Sequence, residues 1–251
     1  MGLHPLAVNF AQVADAYERG RPDYAPAVVG ALAAELRLPA GARVLDLGAG
    51  TGKLTRVLLA VGLEAVAVEP QPSLRELLAA SVGSDRVLDG VAEAIPLPDA
   101  SVDAVTIADA FHWFDQAAAL REIRRVLRPR GGLAVLTVVP DWSGASWADE
   151  VGKRLMSARP EHPHFDGPEW LEAVRAAGGW TEPREIRVTS SRPARPERVV
   201  DHVASISWVA ALPDDQRTEM LAQVDSIVTA GETPAEMPVH VVVGLTSLES
   251  A

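Results

Sequence analysis

The chain has 251 residues, 48% of them hydrophobic, with a net charge of −11 and no cysteine. That length supports one large domain with an ample core, no apolar stretch nears the ~20 residues of a transmembrane helix, and Met1–Leu6 shows no signal-peptide pattern. Without cysteine there is no disulfide framework or cysteine metal site, and an acidic chain with no basic stripe disfavours nucleic acid as a partner.

Two helices are expected first, at 8–19 and 26–37, the second opening on Pro26, whose fixed φ suits a first helical turn. Strands follow near 43–47, 64–68, 86–89, 102–107 and 132–139, alternating with helices near 52–61, 72–82 and 115–127. Alternation at this spacing predicts a parallel sheet with helices on both faces. After Pro140 the rhythm breaks. Residues 141–180 hold Trp142, Trp147, Trp170 and Trp180 among prolines and glycines, and short helices are expected there. Glu185–Ser190 reads as a sixth strand, helices follow near 196–210 and 214–230, and Val239–Leu245 is a last strand. Lysine occurs only at Lys53 and Lys153 while arginine is abundant, a bias of GC-rich bacterial genomes.

The segment Val44-Leu45-Asp46-Leu47-Gly48-Ala49-Gly50-Thr51-Gly52-Lys53-Leu54-Thr55 carries the most information. A short apolar strand runs into glycine at every second position and then into a helical pattern, which places bare backbone N–H groups at a helix N-terminus. Glycine is required there because a Cβ would resist positive φ and block a ligand's approach. The spacing discriminates among ligands. A dinucleotide fingerprint needs G-x-G-x-x-G, but Lys53 stands where its third glycine belongs. A P-loop needs G-x-x-x-x-G-K-[ST], and Leu47 and Leu54 break it at both ends. Asp46, ending the strand, would repel a phosphate and suits an ammonium group or ordered water. This pattern resembles the first motif of class I S-adenosylmethionine-dependent methyltransferases.

The second strand, Ala65-Val66-Ala67-Val68, ends in Glu69-Pro70. A carboxylate about 20 residues past the glycines is the arrangement that holds ribose hydroxyls. The segment from Asp89 through Ala92-Glu93-Ala94-Ile95-Pro96-Leu97 to Phe111-His112-Trp113-Phe114-Asp115 resembles one branch of that superfamily. The branch is the type-11 methyltransferase domain, especially members similar to trans-aconitate methyltransferases. Tyr17–Tyr24 and Arg124–Gly132 match two further segments of it in the right order, so the resemblance covers about residues 8–140.

The resemblance implies a Rossmann-like α/β fold, a seven-stranded mostly parallel sheet with an antiparallel last strand, and S-adenosylmethionine as cofactor. It implies one domain over 1–251, with lid helices in 1–38, a cofactor-binding core in 39–140 and substrate-shaping helices and strands in 141–251. Asp46, Gly48, Ala49, Gly50, Thr51 and Gly52 would wrap the methionine and ribose portions, and Glu69-Pro70 the ribose hydroxyls. Val91, Ala92 and Glu93 would line the adenine, though relatives often carry Asp where this chain has Val91. Ala108 and Asp109 would face the methionine end, and Tyr17 and Arg21 would close over the cofactor, with Arg21 able to meet a carboxylate.

Methyl transfer is an in-line displacement for which the protein mainly supplies position and electrostatics. An alcohol or phenol acceptor needs a base, whereas a carboxylate is already ionised at neutral pH. His112, just past strand four where the crevice should open, and Asp109 are the candidate catalytic groups. The aromatic cluster around His112 recurs in the branch whatever the substrate, which leaves a structural role open for both. His162-Pro163-His164 reads as a surface or substrate loop rather than a metal site, so no metal is expected. His202 and His240 read as partly buried structural residues. Trp142, Trp147 and Trp208 suit a pocket or the core equally. Ser205 and Ser207 have no evident triad partner. Expected, then, is a cytoplasmic enzyme methylating a small acid or secondary metabolite, possibly at oxygen, with neither membrane nor nucleic acid as partner. The alternative is a module that keeps the fold for regulation or partner binding. A nicotinamide-dependent dehydrogenase is a third reading, disfavoured by the glycine spacing.

Overall fold

A computed structural model describes residues 14–167 and 169–249. In chain order the elements are α1 (Ala14–Gly20), α2 (Pro26–Glu35), β1 (Arg43–Leu47), α3 (Lys53–Ala60), β2 (Glu64–Val68), α4 (Pro72–Val82), β3 (Val87–Leu88), β4 (Val102–Ala108), α5 (Gln116–Val126) and β5 (Leu127–Pro140). They continue with α6 (Ala148–Ala158), α7 (Pro163–Asp166), α8 (Trp170–Ala177), β6 (Arg184–Pro193), α9 (Pro196–Ala204), α10 (Ser207–Ala210), α11 (Asp214–Ala230) and β7 (Glu236–Ser247). The first expected helix began at residue 8, and its residues 8–13 lie outside those described.

The seven strands form one mixed sheet in the order β3-β2-β1-β4-β5-β7-β6, with the last strand antiparallel. Parallel pairing is direct for β1 with β2 and β4, β2 with β3, and β4 with β5. The chain order reverses at β1, because β2 and β3 lie on one side of it and β4 on the other. In open parallel sheets such a reversal is where a ligand crevice is expected, past the carboxyl ends of β1 and β4.

By contact density the chain divides into two compact units: a sheet unit of residues 23–138, 167–188 and 241–251, and a helical unit of residues 1–22, 139–166 and 189–240. In the sheet unit, β1 is buried along Val44–Leu47, as a parallel strand covered on both faces must be. Leu45 and Leu47 pack with Val66, Val68, Val105 and Ile107 against Leu120, Ile123 and Val126 of α5. Val44 points the other way, with Ala65 and Ala104, toward Val28, Val29 and Leu32 of α2 and Leu54 and Leu58 of α3. Strand alternation places Asp46 on the face of Val44, beneath α3.

One connection departs from expectation. Arg124–Gly132 resembles a helix-to-strand link, yet β5 begins at Leu127, paired with Val102. The next register pair is Ala104 with Gly132, so β5 carries the extra residues as a bulge, with Arg130 at φ 65° and Arg128 paired to Asp103 at 2.7 Å. The expected helix 196–210 is likewise broken, at Ser205-Ile206, into α9 and α10.

The helical unit has its own core, with Trp147 and Val151 packed among Val199, Val203, Trp208, Val224 and Val228. Here α1 lies on α9: Arg19 reaches Asp201 with two hydrogen bonds, of 2.8 and 2.9 Å. The contact is close enough to require glycine at position 20, where a Cβ would sit 2.3 Å from the His202 backbone nitrogen. Gly20→Ala should therefore destabilise the helical unit by about 1–3 kcal/mol through overpacking, measured by chemical denaturation. Gly30, in the interior of α2, has open space around a would-be Cβ. Gly30→Ala should instead stabilise the chain by roughly 0.5–1 kcal/mol.

Candidate functional site

The turn after β1 is built by backbone and glycine. The Gly48 and Ala49 N–H groups both donate to the Val68 carbonyl, at 2.9 and 3.2 Å, which ties the turn to the end of β2. Gly48, Gly50 and Gly52 have φ of 72°, 58° and 88°, values that cost a residue with a Cβ. Their surroundings differ. A Cβ on Gly48 would come within 3.0 Å of Ala110 and 3.4 Å of Phe114, whereas one on Gly50 would meet nothing within 4 Å. The first glycine thus admits the Phe111–Asp115 segment, and the second faces open space.

Two buried carboxylates adjoin the turn, one near the end of β1 and one just past β2. Asp46 is 1% exposed; its Oδ2 accepts from the Thr55 hydroxyl at 2.6 Å, and its Oδ1 lies 3.5 Å from the Thr106 hydroxyl. Burial outweighs these hydrogen bonds, and with Glu69 nearby raises the carboxyl to about 6. Glu69 is 4% exposed, with Oε2 accepting from Gly50 N–H at 2.8 Å and Oε1 from Gln71 N–H at 3.0 Å. Burial raises its pKa as well, while the two N–H donors and Arg75 oppose the shift. Each oxygen retains a second lone pair for a hydroxyl donor. Thr51 is buried at the start of α3, and its carbonyl accepts from Arg56.

Other predicted residues line up along the sheet unit. Ala49 packs beside Ala67 and Leu78, and the Pro70 carbonyl accepts from Arg75. Val91 pairs through its backbone with Ala94 in an isolated bridge, and the Ala92 side chain is buried in the main core. Glu93 accepts from the Asp115 N–H at 2.8 Å, and Asp115 in turn caps α5 by accepting from Ala118. Ala108 is half-buried against the α2 side of the core. Asp109 has φ 51°, a strained value that its short polar side chain tolerates. Its Oδ1 accepts from Val138 N–H at 3.2 Å and its Oδ2 from the Tyr24 hydroxyl at 3.4 Å. His112 is half-buried in the short 3₁₀ turn Phe111–Trp113, its ring 4.5 Å from that of Trp113.

Tyr17 and Arg21 belong to the helical unit. There Arg21 lies 5.6 Å from the Tyr17 ring, and its Nε donates to the Ser205 hydroxyl at 3.0 Å. In the segment read as a surface or substrate loop, His164 is exposed, whereas His162 is 4% exposed and contacts the Ser207 hydroxyl at 2.8 Å. His162 Nδ1 accepts from His164 N–H, so Nε2 carries the proton and donates to Ser207. The pair is a structural lock, with no lone pair to activate the serine. Among the described residues, no three metal-ligating side chains cluster.

Sequence reasoning passed over several residues that hold the site. Thr106 sits inside an apolar strand and Thr55 inside an apolar helix face, and a buried hydroxyl in such a stripe was the available signal. Lys53 is buried and reaches Asp23 at 2.7 Å. Arg75 on α4 donates to the Glu69 and Pro70 carbonyls, at 2.9 Å each, and pairs with Asp89. Nothing local in the sequence marks it out from the chain's other arginines.

Comparison with known proteins places the chain among methyltransferases. Residues 45–135 match a family described as a methyltransferase domain. An uncharacterized methyltransferase of Mycobacterium tuberculosis is 38% identical over 224 residues, 89% of this chain and 86% of that protein. A proposed type II methyltransferase from Anaeromyxobacter dehalogenans superposes with a TM-score of 0.59 at 25% identity, covering 91% of this chain and 97% of the other. The [4+2]-cyclase SpnF shares the fold at 20% identity, with a TM-score of 0.53 over 92% of this chain and 85% of its own.

The carboxyl of Asp46 has a consequence for pH. It binds its proton near pH 6 in the folded chain and near 3.8 when exposed. The folded state therefore holds the extra proton between these values, and Asp46's contribution to stability is lost as pH rises through about 6. Asp46→Asn should remove this component and raise stability at pH 7 by up to about 3 kcal/mol, from a shift of roughly two units. Urea denaturation at pH 5 and 7 checks the direction.

Proposed function

Because the chain belongs to the class I S-adenosylmethionine-dependent methyltransferases, we propose that it methylates a small-molecule acceptor, a small acid or secondary metabolite, at oxygen. The observation that carries the cofactor's place is the pair of buried carboxylates, Asp46 and Glu69, beside the open side of Gly50. When bound, S-adenosylmethionine supplies a methyl group on a sulfonium, which an acceptor oxygen can displace. Everything else falls to this chain. Glu69, oriented by the Gly50 and Gln71 N–H groups, accepts from the ribose hydroxyls. Asp46 offers a carboxylate to the cationic methionine end. Backbone of Val91 and Ala92 lines the adenine, and Glu93 holds that segment to the start of α5.

Asp109 acts as a positioning group, since it joins the end of β4 to Tyr24 and to Val138. His112 is the candidate base for a hydroxyl acceptor. It lies between Ala110 and Phe114, the two residues that pack on Gly48. A carboxylate acceptor would need neither. The cyclase that shares this fold favours one second reading, in which the cofactor site is kept for a role other than transfer.

The test is calorimetric titration with S-adenosylmethionine and S-adenosylhomocysteine, followed by measuring S-adenosylhomocysteine release with a panel of small carboxylic acids and phenols. Micromolar binding with acceptor-dependent release supports the enzyme; binding without release across the panel supports the second reading. Glu69→Ala should weaken cofactor binding at least tenfold, since each charge-assisted hydrogen bond is worth about 1.5–3 kcal/mol. Gly50→Val should abolish it, by both strain and occupation of the open space. Affinity should also fall below about pH 6, where Asp46 gains its proton and can no longer meet a cation. A pH-independent Kd between 5 and 8 would remove Asp46 from the site.

A further inference from the structure

The Glu69 carboxylate is held at its tip by the Gly50 and Gln71 N–H groups, yet its place depends equally on the main chain that carries it. That main chain lies just past the end of β2, at Val68. The Glu69 N–H still reaches the Leu88 carbonyl at 3.2 Å, and Pro70, which follows, has no N–H to give. Carbonyls at such a corner need a donor. Arg75 supplies it: one nitrogen, Nη1, lies 2.9 Å from both the Glu69 and the Pro70 carbonyl oxygens.

The arrangement closes on itself. Glu69 Oε1 accepts from the Gln71 N–H, the Gln71 carbonyl accepts from the Arg75 N–H at 2.9 Å, and the Arg75 side chain returns to the Glu69 carbonyl. The first turn of α4 thus fixes Glu69 at both ends, carboxylate and main chain. A second anchor aims the guanidinium. Asp89 Oδ1 lies 3.1 Å from Nη1 and Oδ2 3.2 Å from Nη2, a paired approach that suits the planar fork of arginine. The Asp89 side chain is 72% exposed, so this ion pair contributes little energy by itself. Its main chain is nonetheless held in place, because a Cβ on the adjacent Gly90 would come within 2.6 Å of Pro96 and 3.3 Å of Val68. All of these groups belong to the sheet unit.

We infer that Arg75 is a positioning residue for the ribose end of the ligand site, acting through Glu69 by holding its main chain so that the carboxylate meets the ribose hydroxyls. The inference rests on the cofactor's place proposed above. It assigns the arginine a selective effect: its loss costs a ligand that bears those hydroxyls more than one that lacks them. An arginine that merely stabilised the fold would weaken both ligands alike.

The experiment is calorimetry of the full chain with S-adenosylhomocysteine and with its analogue lacking both ribose hydroxyls. The unaltered chain should prefer S-adenosylhomocysteine by at least about tenfold, since hydrogen bonds to a charged acceptor are the strong ones. Arg75→Met should reduce that preference to about threefold or less, chiefly by weakening S-adenosylhomocysteine. Arg75→Lys, which can still donate to the two carbonyls, should recover most of it. Circular dichroism shows which variants fold, and Arg75→Gln replaces Arg75→Met if the latter does not. An undiminished preference in the folded variant, or a lysine no better than methionine, overturns the inference. Glu69→Ala separates the readings. A preference lost in Glu69→Ala but kept in Arg75→Met removes this inference alone, whereas an unaltered chain that binds neither ligand, or both equally, removes the ribose site and this inference with it.

Discussion

The sheet unit is organised around a carboxylate placed where water cannot reach it. Asp46 occupies a position that strand alternation assigns to the core face of Val44. Two hydroxyls, from Thr55 on α3 and Thr106 on β4, are the compensation the fold supplies. They do not fully offset burial, so the carboxyl stays well above its ordinary pKa. The uncompensated part of that cost would be relieved by a cation arriving over the turn, as in the binding proposed above. The same constraint dictates the neighbours. An arginine or lysine inserted against Asp46 would remove the cost and the affinity together, and the one lysine nearby, Lys53, is directed to Asp23 instead.

Glu69 repeats this design in a milder form. Its two oxygens are anchored by N–H groups from the glycine turn and from the start of α4, so the carboxylate links the ends of β1 and β2. Arg75 holds the carbonyls on the other side of the same corner and pairs with Asp89 beyond β3. Anchoring of this kind before a ligand arrives would lower the ordering cost of the binding proposed above. Rigidity on the far side of the crevice comes from Asp109, whose left-handed backbone is held by Val138 and Tyr24.

What was legible in sequence was local. Glycines at alternate positions after an apolar strand reveal a turn, and strands and helices of the first 140 residues fall within a few positions of where periodicity puts them. Partnerships across distance were not legible. Thr106 is 60 residues from Asp46, and Ser207 is 45 residues from His162. No periodic pattern encodes such pairs; they exist only once the sheet and helices have packed. The bulge at the start of β5 escaped for a related reason. Arg128-Pro129-Arg130-Gly131 has the composition of a turn, and only its pairing with β4 makes it strand.

The helical unit is harder to read from sequence than the glycine turn. A cofactor site repeats one solution to one ligand, so its residues arrive as a motif within a short stretch. Trp142 and His202 come from separate segments, and neither carries a flanking pattern that announces their contact. His202 in sequence is an ordinary residue of an amphipathic helix, α9. Its burial against the Trp142 ring is a property of the packed chain that no residue type carries alone.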